Sequence, residues 1–405
     1  MDYSESKSRK SQNDKLIETI NNQSIIGYLH QKLCQRREQV KQWFDSYSQQ
    51  LYHPFYSSYD IRDSGFKIAC VDANIFPAGF NNICDVDKDS SVEIVKDYFL
   101  KNYGNQCQRI LLLTEEHTHN PYYWQNIDAI ENLLVRSGLK VQVAIPSTHH
   151  STIEVTNALG QTRTVPSTDK IFSDKTNEID LIISNNDFSE SYSELLSKIK
   201  IEINPSSLLG WHKRRKHQFF CHYNHLMEEL AQIIEVDPWL LTIKTTWITD
   251  FVPDDHSSRG HLAEKVQIQL DEMRSIYQQR HIKDSASVFV KNNAGTYGLA
   301  VASVQHGEDI LGWNYKSRKK MKAAKGGRAV DELIIQEGIP SIMTGVEGTA
   351  EPVIYMIGPQ LAGGFLRTHS EKGPLESLNS PGAVYEKLCI SDLDWKTTDC
   401  PKENV

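Results

Sequence analysis

One lysine, carried by an apolar run into a loop with two glycines, has the surroundings best suited to chemistry on phosphate. It lies in Val288-Phe-Val-Lys-Asn-Asn-Ala-Gly-Thr-Tyr-Gly-Leu-Ala-Val301. The two apolar runs read as strands, which places Lys291 at a strand end and Asn293, Gly295, Thr296 and Gly298 in the connecting loop. Glycine lets backbone N–H groups come close to phosphate oxygens, and the lysine adds a point charge. The spacing is neither that of the P-loop nor that of the dinucleotide fingerprint. A plain hairpin with a lysine at its end has the same local pattern, so the residues further along carry the distinction.

Downstream come Asp331-Glu-Leu-Ile-Ile-Gln-Glu-Gly-Ile-Pro340, Ala350-Glu-Pro-Val-Ile-Tyr-Met-Ile357, Gly363-Gly-Phe-Leu-Arg-Thr-His369 and Leu375-Glu-Ser-Leu-Asn-Ser-Pro-Gly382. In that order the chain resembles the ATP-grasp ligases, and more narrowly the bacterial glutamate–cysteine ligase family of ATP-grasp type. Val71-Asp-Ala-Asn-Ile-Phe-Pro-Ala-Gly-Phe-Asn-Asn82 and Gly210-Trp-His-Lys-Arg-Arg-Lys216 are similar to that family as well. The resemblance runs from about Asp60 to about Leu388. Each motif alone is only moderately specific, and their order gives the combination its weight.

The resemblance implies ATP-dependent joining of glutamate to cysteine through an acyl phosphate, the first step of glutathione synthesis, with ATP and Mg²⁺ required. It assigns Lys291 to the ATP phosphates and the loop from Asn293 to Gly298, with Gly295 and Thr296, to their cover. Gln336, Glu337 and Ile339 become the hinge that meets adenine and ribose. Arg367 becomes the guanidinium that stabilises the transferring phosphoryl group, since arginine stays charged and cannot act as a base. Glu376 and Asn379 are the metal candidates, because oxygen ligands suit Mg²⁺. Here the chain departs from the usual Glu-x-Asn pattern by one residue, and Glu347 and Glu351 compete for the same role. Asp60, Arg62, Asp72, Asn74 and Arg214 are candidate contacts for the amino-acid substrates, with Lys216 a further possibility. Arg62 can pair with a substrate carboxylate and an aspartate with its ammonium, although either can equally be a structural ion pair. Another carboxylate–amine ligase, or an inactive nucleotide-binding regulatory protein, are the alternatives. A substrate panel separates the first, and nucleotide binding without phosphate release marks the second.

These residues need strands and helices to hold them. The expected fold class is α/β, with a parallel-sheet N-terminal lobe and an ATP-grasp-like C-terminal half. Residues 1–14 read as a disordered tail, 15–58 as a helical segment, 59–240 as an α/β substrate-side domain, 241–395 as the ATP-grasp region and 396–405 as a loose tail. Lys67–Asp72, Arg109–Thr114, Val141–Ile145 and Asp180–Ser184 read as buried strands alternating with helices, which argues for a mostly parallel sheet. Ligands of such sheets sit beyond the carboxyl ends of the strands. Asp72 and Asn74 therefore stand in ligand positions, as do Glu115–Asn120 and Asn185–Asp187.

At 405 residues the chain can bury a substantial core. Its formal net charge of −8 argues against a surface built for nucleic acid or anionic membrane. No run of eighteen apolar residues suggests a membrane span, and the polar start lacks a secretory signal. Seven scattered cysteines fit reduced thiols and a cytoplasmic setting. The expected partners are small-molecule substrates, with a homo-oligomer possible. Residues 316–328 hold seven basic side chains in thirteen and no aromatic, which suits a lid over phosphates or a solvated loop better than base stacking. His217, Cys221 and His225 recur at helical spacing, where hydrogen-bonded histidines are a safer reading than zinc.

Overall fold

The computed structural model describes residues 24–116, 120–146, 150–174, 176–189, 192–295, 298–323 and 329–389. The expected terminal tails and Thr296 lie outside these residues, as does the end of the basic segment, 324–328. Strands in chain order are β1 Tyr56–Asp63, β2 Ile68–Asn74, β3 Arg109–Leu113, β4 Lys140–Ala144, β5 Thr152–Thr156, β6 Thr162–Pro166, β7 Leu181–Ser184 and β8 Ile203–Asn204. They continue with β9 Thr245–Ile248, β10 Val288–Asn292, β11 Val301–Val304, β12 Leu333–Glu337, β13 Thr344–Gly345, β14 Gly348–Ile357, β15 Gln360–His369 and β16 Val384–Leu388.

The parallel sheet has the order β4-β3-β7-β8. Its central strands are continuous apolar runs with Ile110 to Leu113 and Leu181 to Ile183 at no more than 1 % exposure, as expected of strands covered on both faces. The helix Pro121–Arg136 packs Ile127, Ile130, Leu133 and Leu134 into this core. Its start is fixed by Asn120, whose side chain accepts from Tyr123 N, and by proline in the first turn. Gly138 follows its end at a φ of +92°, a conformation that favours glycine.

The strand predicted at Lys67–Asp72 belongs elsewhere. It is β2, paired antiparallel to β1 in a sheet of order β16-β15-β14-β1-β2, so its place in a parallel sheet does not hold. An apolar run identifies a buried strand, but its partner is set by tertiary contact: β1 pairs with β14 nearly three hundred residues away, as in Asp60 opposite Val353. One sheet therefore draws strands from both the N-terminal and C-terminal parts of the chain.

A third sheet has the order β11-β10-β12-β9 and is antiparallel throughout. The helix His256–Gln279 covers one face with Leu262, Val266, Leu270, Met273 and Tyr277, spaced at three and four residues. Asp255 caps its start by accepting from Ser258 N. On the other face, Ile334 of β12 meets Ala69 and Val71 of β2 and Phe220 of the helix Lys216–Ile233. This small apolar cluster sets the two antiparallel sheets and that helix around one cleft.

Cys70, Cys84, Cys107, Cys221 and Cys389 are free thiols. No helix of the described residues is long and apolar enough to cross a membrane.

Candidate active site

The cleft is lined by Asp60, Arg62, Asp72, Lys216, Lys291, Asn292 and Glu351, with Val71, Phe289, Gly295, Gly298, Leu299, Val301, Ser377 and Asn379 completing the wall. Its charged floor follows from strand register. Asp60 and Arg62 lie two apart on β1 and so share a face. Asp60 stands opposite Asp72 of β2, and Glu351 of β14 stands opposite Arg367 of β15. Side chains of opposite sign then interlock across three strands, β1, β14 and β15. Arg367 Nη1 donates to Asp60 Oδ2 and to Glu351 Oε1, both at 2.7 Å. Arg62 Nε donates to Glu351 Oε2 at 2.7 Å.

Arg62 spends its other donors on backbone. Nη1 reaches the carbonyls of Ile339 and Pro374 at 3.1 Å, and Nη2 that of Glu376 at 2.7 Å. The arginine thus ties β1 to the end of β12 and to the turn before Asn379. Three polar atoms in or beside the cleft are buried without a hydrogen-bond partner: Asp60 Oδ1, Arg367 Nε and Gln336 Nε2. Buried polar groups are almost always paired, so orphans clustered at one place mark a site for a polar ligand.

The opposite wall is the third sheet. Lys291 on β10 donates to Gln336 Oε1 at 2.6 Å and to Val71 O at 3.2 Å. Gln336 is therefore the lysine's holder. Burial, the largest cause, together with Lys216 and Arg62, pulls the Lys291 ammonium down to about 8, against the opposing pull of Asp72 and Asp60. Burial also pushes the Asp60 carboxyl above its ordinary range, with Glu351 and Asp72 adding to it and Arg367 opposing. For Asp72 burial is again the largest single cause, but Lys216 and Lys291 outweigh it and hold the carboxyl below its usual value. Glu351 is likewise held low, since Arg62 and Arg367 overcome its burial.

The loop after β10 is fixed at both ends. Asn293 is fully buried, and its carbonyl and Oδ1 accept from the N–H groups of Lys216 and His217 at 2.8 and 3.0 Å. Those N–H groups open the helix Lys216–Ile233, so Asn293 caps it from another segment. Gly298 sits at a φ of +64°, where a Cβ would lie 2.3 Å from Asn379 O. Only glycine lets the loop pass that close to the Asn379 turn. Gly295 lines the cleft beside it.

Several other sequence candidates have definite places. Glu337 is buried and accepts from Lys67 Nζ on both oxygens at 2.8 Å and from Lys244 N at 3.0 Å. Ile339 packs in the cluster between the sheets while its carbonyl accepts from Arg62. Asn379 lines the cleft, whereas Glu376 spends its two carboxylate oxygens on Lys372 Nζ and Gly373 N, both at 3.0 Å. Asn74 ends β2 opposite Ser58. Arg214 lies over the rings of Trp211 and Phe219, at 4.9 and 5.6 Å from their centroids. His217 stacks on Trp247 at 4.5 Å and His225 meets Glu229 at 3.1 Å, and no metal-binding group of three or more His, Cys, Asp or Glu occurs among the described residues.

Sequence reasoning did not give Lys67 or Asn292 a role, and it left Glu351 and Lys216 as secondary options. The lysine before the Ile68 strand gives no hint that it meets a carboxylate 270 positions on. Glu351 had a usable signal: a carboxylate inside an apolar strand, beside a strand that carries an arginine.

Asp60 Oδ1, buried and without a partner, is a hard donor of the kind Mg²⁺ takes, usually one or two from protein with the rest from phosphate and water. Lys291, Lys216 and Arg367 supply positive charge around it. The cleft therefore offers positive charge to an anionic ligand such as a phosphate.

Comparison with known proteins gives the same direction. The family model for glutamate-cysteine ligase (GshA) matches residues 30–404. A crystal structure from Methylobacillus flagellatus KT, of a protein proposed to be a gamma-glutamylcysteine synthetase, is 30 % identical. That match covers 89 % of this chain and 86 % of that one, with a TM-score of 0.81. A glutathione synthetase-like effector from Globodera pallida is 11 % identical over 94 % of this chain and 87 % of its own, with a TM-score of 0.37, too low to bear on the argument. Among curated proteins none matches. The chain belongs to the glutamate–cysteine ligase (GshA) family.

Proposed function

We propose that the protein joins the γ-carboxylate of glutamate to the amine of cysteine at the expense of ATP, and that the charged cleft is where it does so. The carrying observation is the convergence of Lys291 and Arg367, from two different sheets, on the Asp60–Asp72–Glu351 carboxylates. In this reading a γ-carboxylate oxygen attacks the terminal phosphorus of ATP. The bond to ADP breaks and an acyl phosphate forms. The cysteine nitrogen then adds to the acyl carbon, loses a proton and expels phosphate.

Such phosphoryl transfer asks the protein for position and charge more than for covalent help. Lys291 binds the phosphates while protonated, with Gln336 aiming its ammonium. Arg367 stays charged at every working pH and stabilises the charge that builds on the transferring group. The glycines at 295 and 298 let the loop lie close to the nucleotide. Asp60, whose Oδ1 has no partner, and Asp72 beside it would hold Mg²⁺, which when bound would neutralise phosphate charge. The hinge residues Gln336 and Glu337 end the strand on which Lys291 rests.

The acyl-phosphate route is tested with glutamate labelled by ¹⁸O in its γ-carboxylate. One labelled oxygen should pass to the released phosphate in each turnover. Phosphate free of label would show that the carboxylate never attacked phosphorus.

A further inference from the structure

Lys216 is the least committed cation of the cleft. Its side chain is buried, lines the cleft, and lies 5.0 Å from the centroid of the Trp211 ring. Its ammonium can donate three hydrogen bonds. It makes one, to Asp72 Oδ1. Lys291 makes two and Arg62 four. Asp72 in turn sits directly opposite Asp60, whose Oδ1 has no partner. Asp72 is also held ionised by Lys291, so its charge does not depend on Lys216 alone.

The placement of Lys216 is also built rather than incidental. Its own N–H is bound by Asn293 O, and Asn293 Nδ2 reaches Glu332 at 3.1 Å. Arg215 Nε holds the same Glu332 oxygen at 2.8 Å. The start of the helix is thus clamped to the residue that begins the glycine loop. Arg214, two residues earlier, is not among the cleft-lining residues and rests on aromatic rings instead.

We infer that Lys216 is a ligand-binding residue that takes an anionic oxygen of a substrate, that Asp72 is its partner before substrate binds, and that Asn293 is the positioning residue that brings Lys216 to the glycine loop. The inference rests on the ligase reading for the identity of the ligands, which carry such oxygens as amino-acid carboxylate or as ATP phosphate. Charge-assisted contacts of this kind change affinity by about 10- to 100-fold.

The test uses the full chain with K216M, K216R and the double variant D72N/K216M. Thermal stabilisation by ATP with Mg²⁺, by glutamate and by cysteine is measured one ligand at a time, and KM for each in turnover. K216M should lose about 10- to 100-fold in affinity for one ligand only. Loss confined to ATP assigns phosphate, and loss confined to an amino acid assigns its carboxylate. K216R should keep part of the affinity, and N293A should reproduce the K216M pattern more weakly. The double variant should stay defective, because neutralising Asp72 does not replace the missing cation. Recovery in the double variant, or equal stabilisation of wild type and K216M by every ligand, would reduce Lys216 to a structural partner of Asp72 and overturn the inference. Binding is read without turnover, so wild-type protein that binds these ligands but makes no product overturns the ligase reading alone.

Discussion

Replacing Glu351 by glutamine tests how the charged floor works. The carboxylate accepts from Arg62 Nε and Arg367 Nη1, each at 2.7 Å, with side-chain exposures of 4, 4 and 8 % for Glu351, Arg62 and Arg367. Two charge-assisted bonds of about 1.5–3 kcal/mol each are at stake. Glutamine keeps the shape and one acceptor oxygen, so part of this survives. It also leaves Arg367 with Asp60 as its one carboxylate and Arg62 with backbone carbonyls only, and breaking a buried pair costs about 3–5 kcal/mol. Unfolding in urea should show a loss of about 3 kcal/mol with an unchanged m-value. Arg367 loses one of its two anchors, and misplacement by about 1 Å costs on the order of 10²-fold in turnover. KM for ATP should move less than about threefold, because the loop and Lys291 belong to the other sheet. An E351Q protein with near wild-type stability and kcat would refute the view that Glu351 positions Arg367.

Further outcomes follow from the same geometry. Lys291 in the fold titrates near 8, below its ordinary 10.5, so kcat/KM for ATP should fall as pH rises through about 8, and K291R should remove that limb. Stability should move the other way, rising with pH between about 8 and the ordinary lysine range, because the unfolded chain binds more protons there. G298A places a Cβ 2.3 Å from Asn379 O at a φ of +64°, so it should cost about 1–2 kcal/mol and raise KM for ATP, measured by urea unfolding and steady-state kinetics. K67M strands the buried Glu337 carboxylate and should destabilise by about 3–5 kcal/mol, with much of the loss regained in K67M/E337Q. An unchanged urea midpoint in K67M would contradict that role.

Local pattern carried much of the fold into view. The apolar runs Arg109–Thr114, Val141–Ile145 and Asp180–Ser184 announce the strands β3, β4 and β7, and two apolar runs with glycines announce the strand–loop–strand around Lys291. What local pattern lacks is the partner of each strand. Lys67–Asp72 has the apolar run of a parallel strand yet pairs antiparallel with β1, because the turn between them closes a hairpin, while β14 covers the other edge of β1. The candidate site shows the same division. Lys291, Arg367, Asp60 and Asp72 are reachable from residue type and motif order. That Arg62 clamps Glu351 and three backbone carbonyls, and that Gln336 holds Lys291, depends on segments up to three hundred residues apart.

The most direct measurement is product analysis of the purified protein with ATP, Mg²⁺ and glutamate, with and without cysteine. The account predicts ADP, phosphate and a product with the mass of γ-glutamylcysteine in equal amounts, all dependent on both amino acids, and lost in Lys291→Ala and Arg367→Ala proteins that remain folded. Bound ATP with no phosphate released would contradict it, as would full activity in either variant.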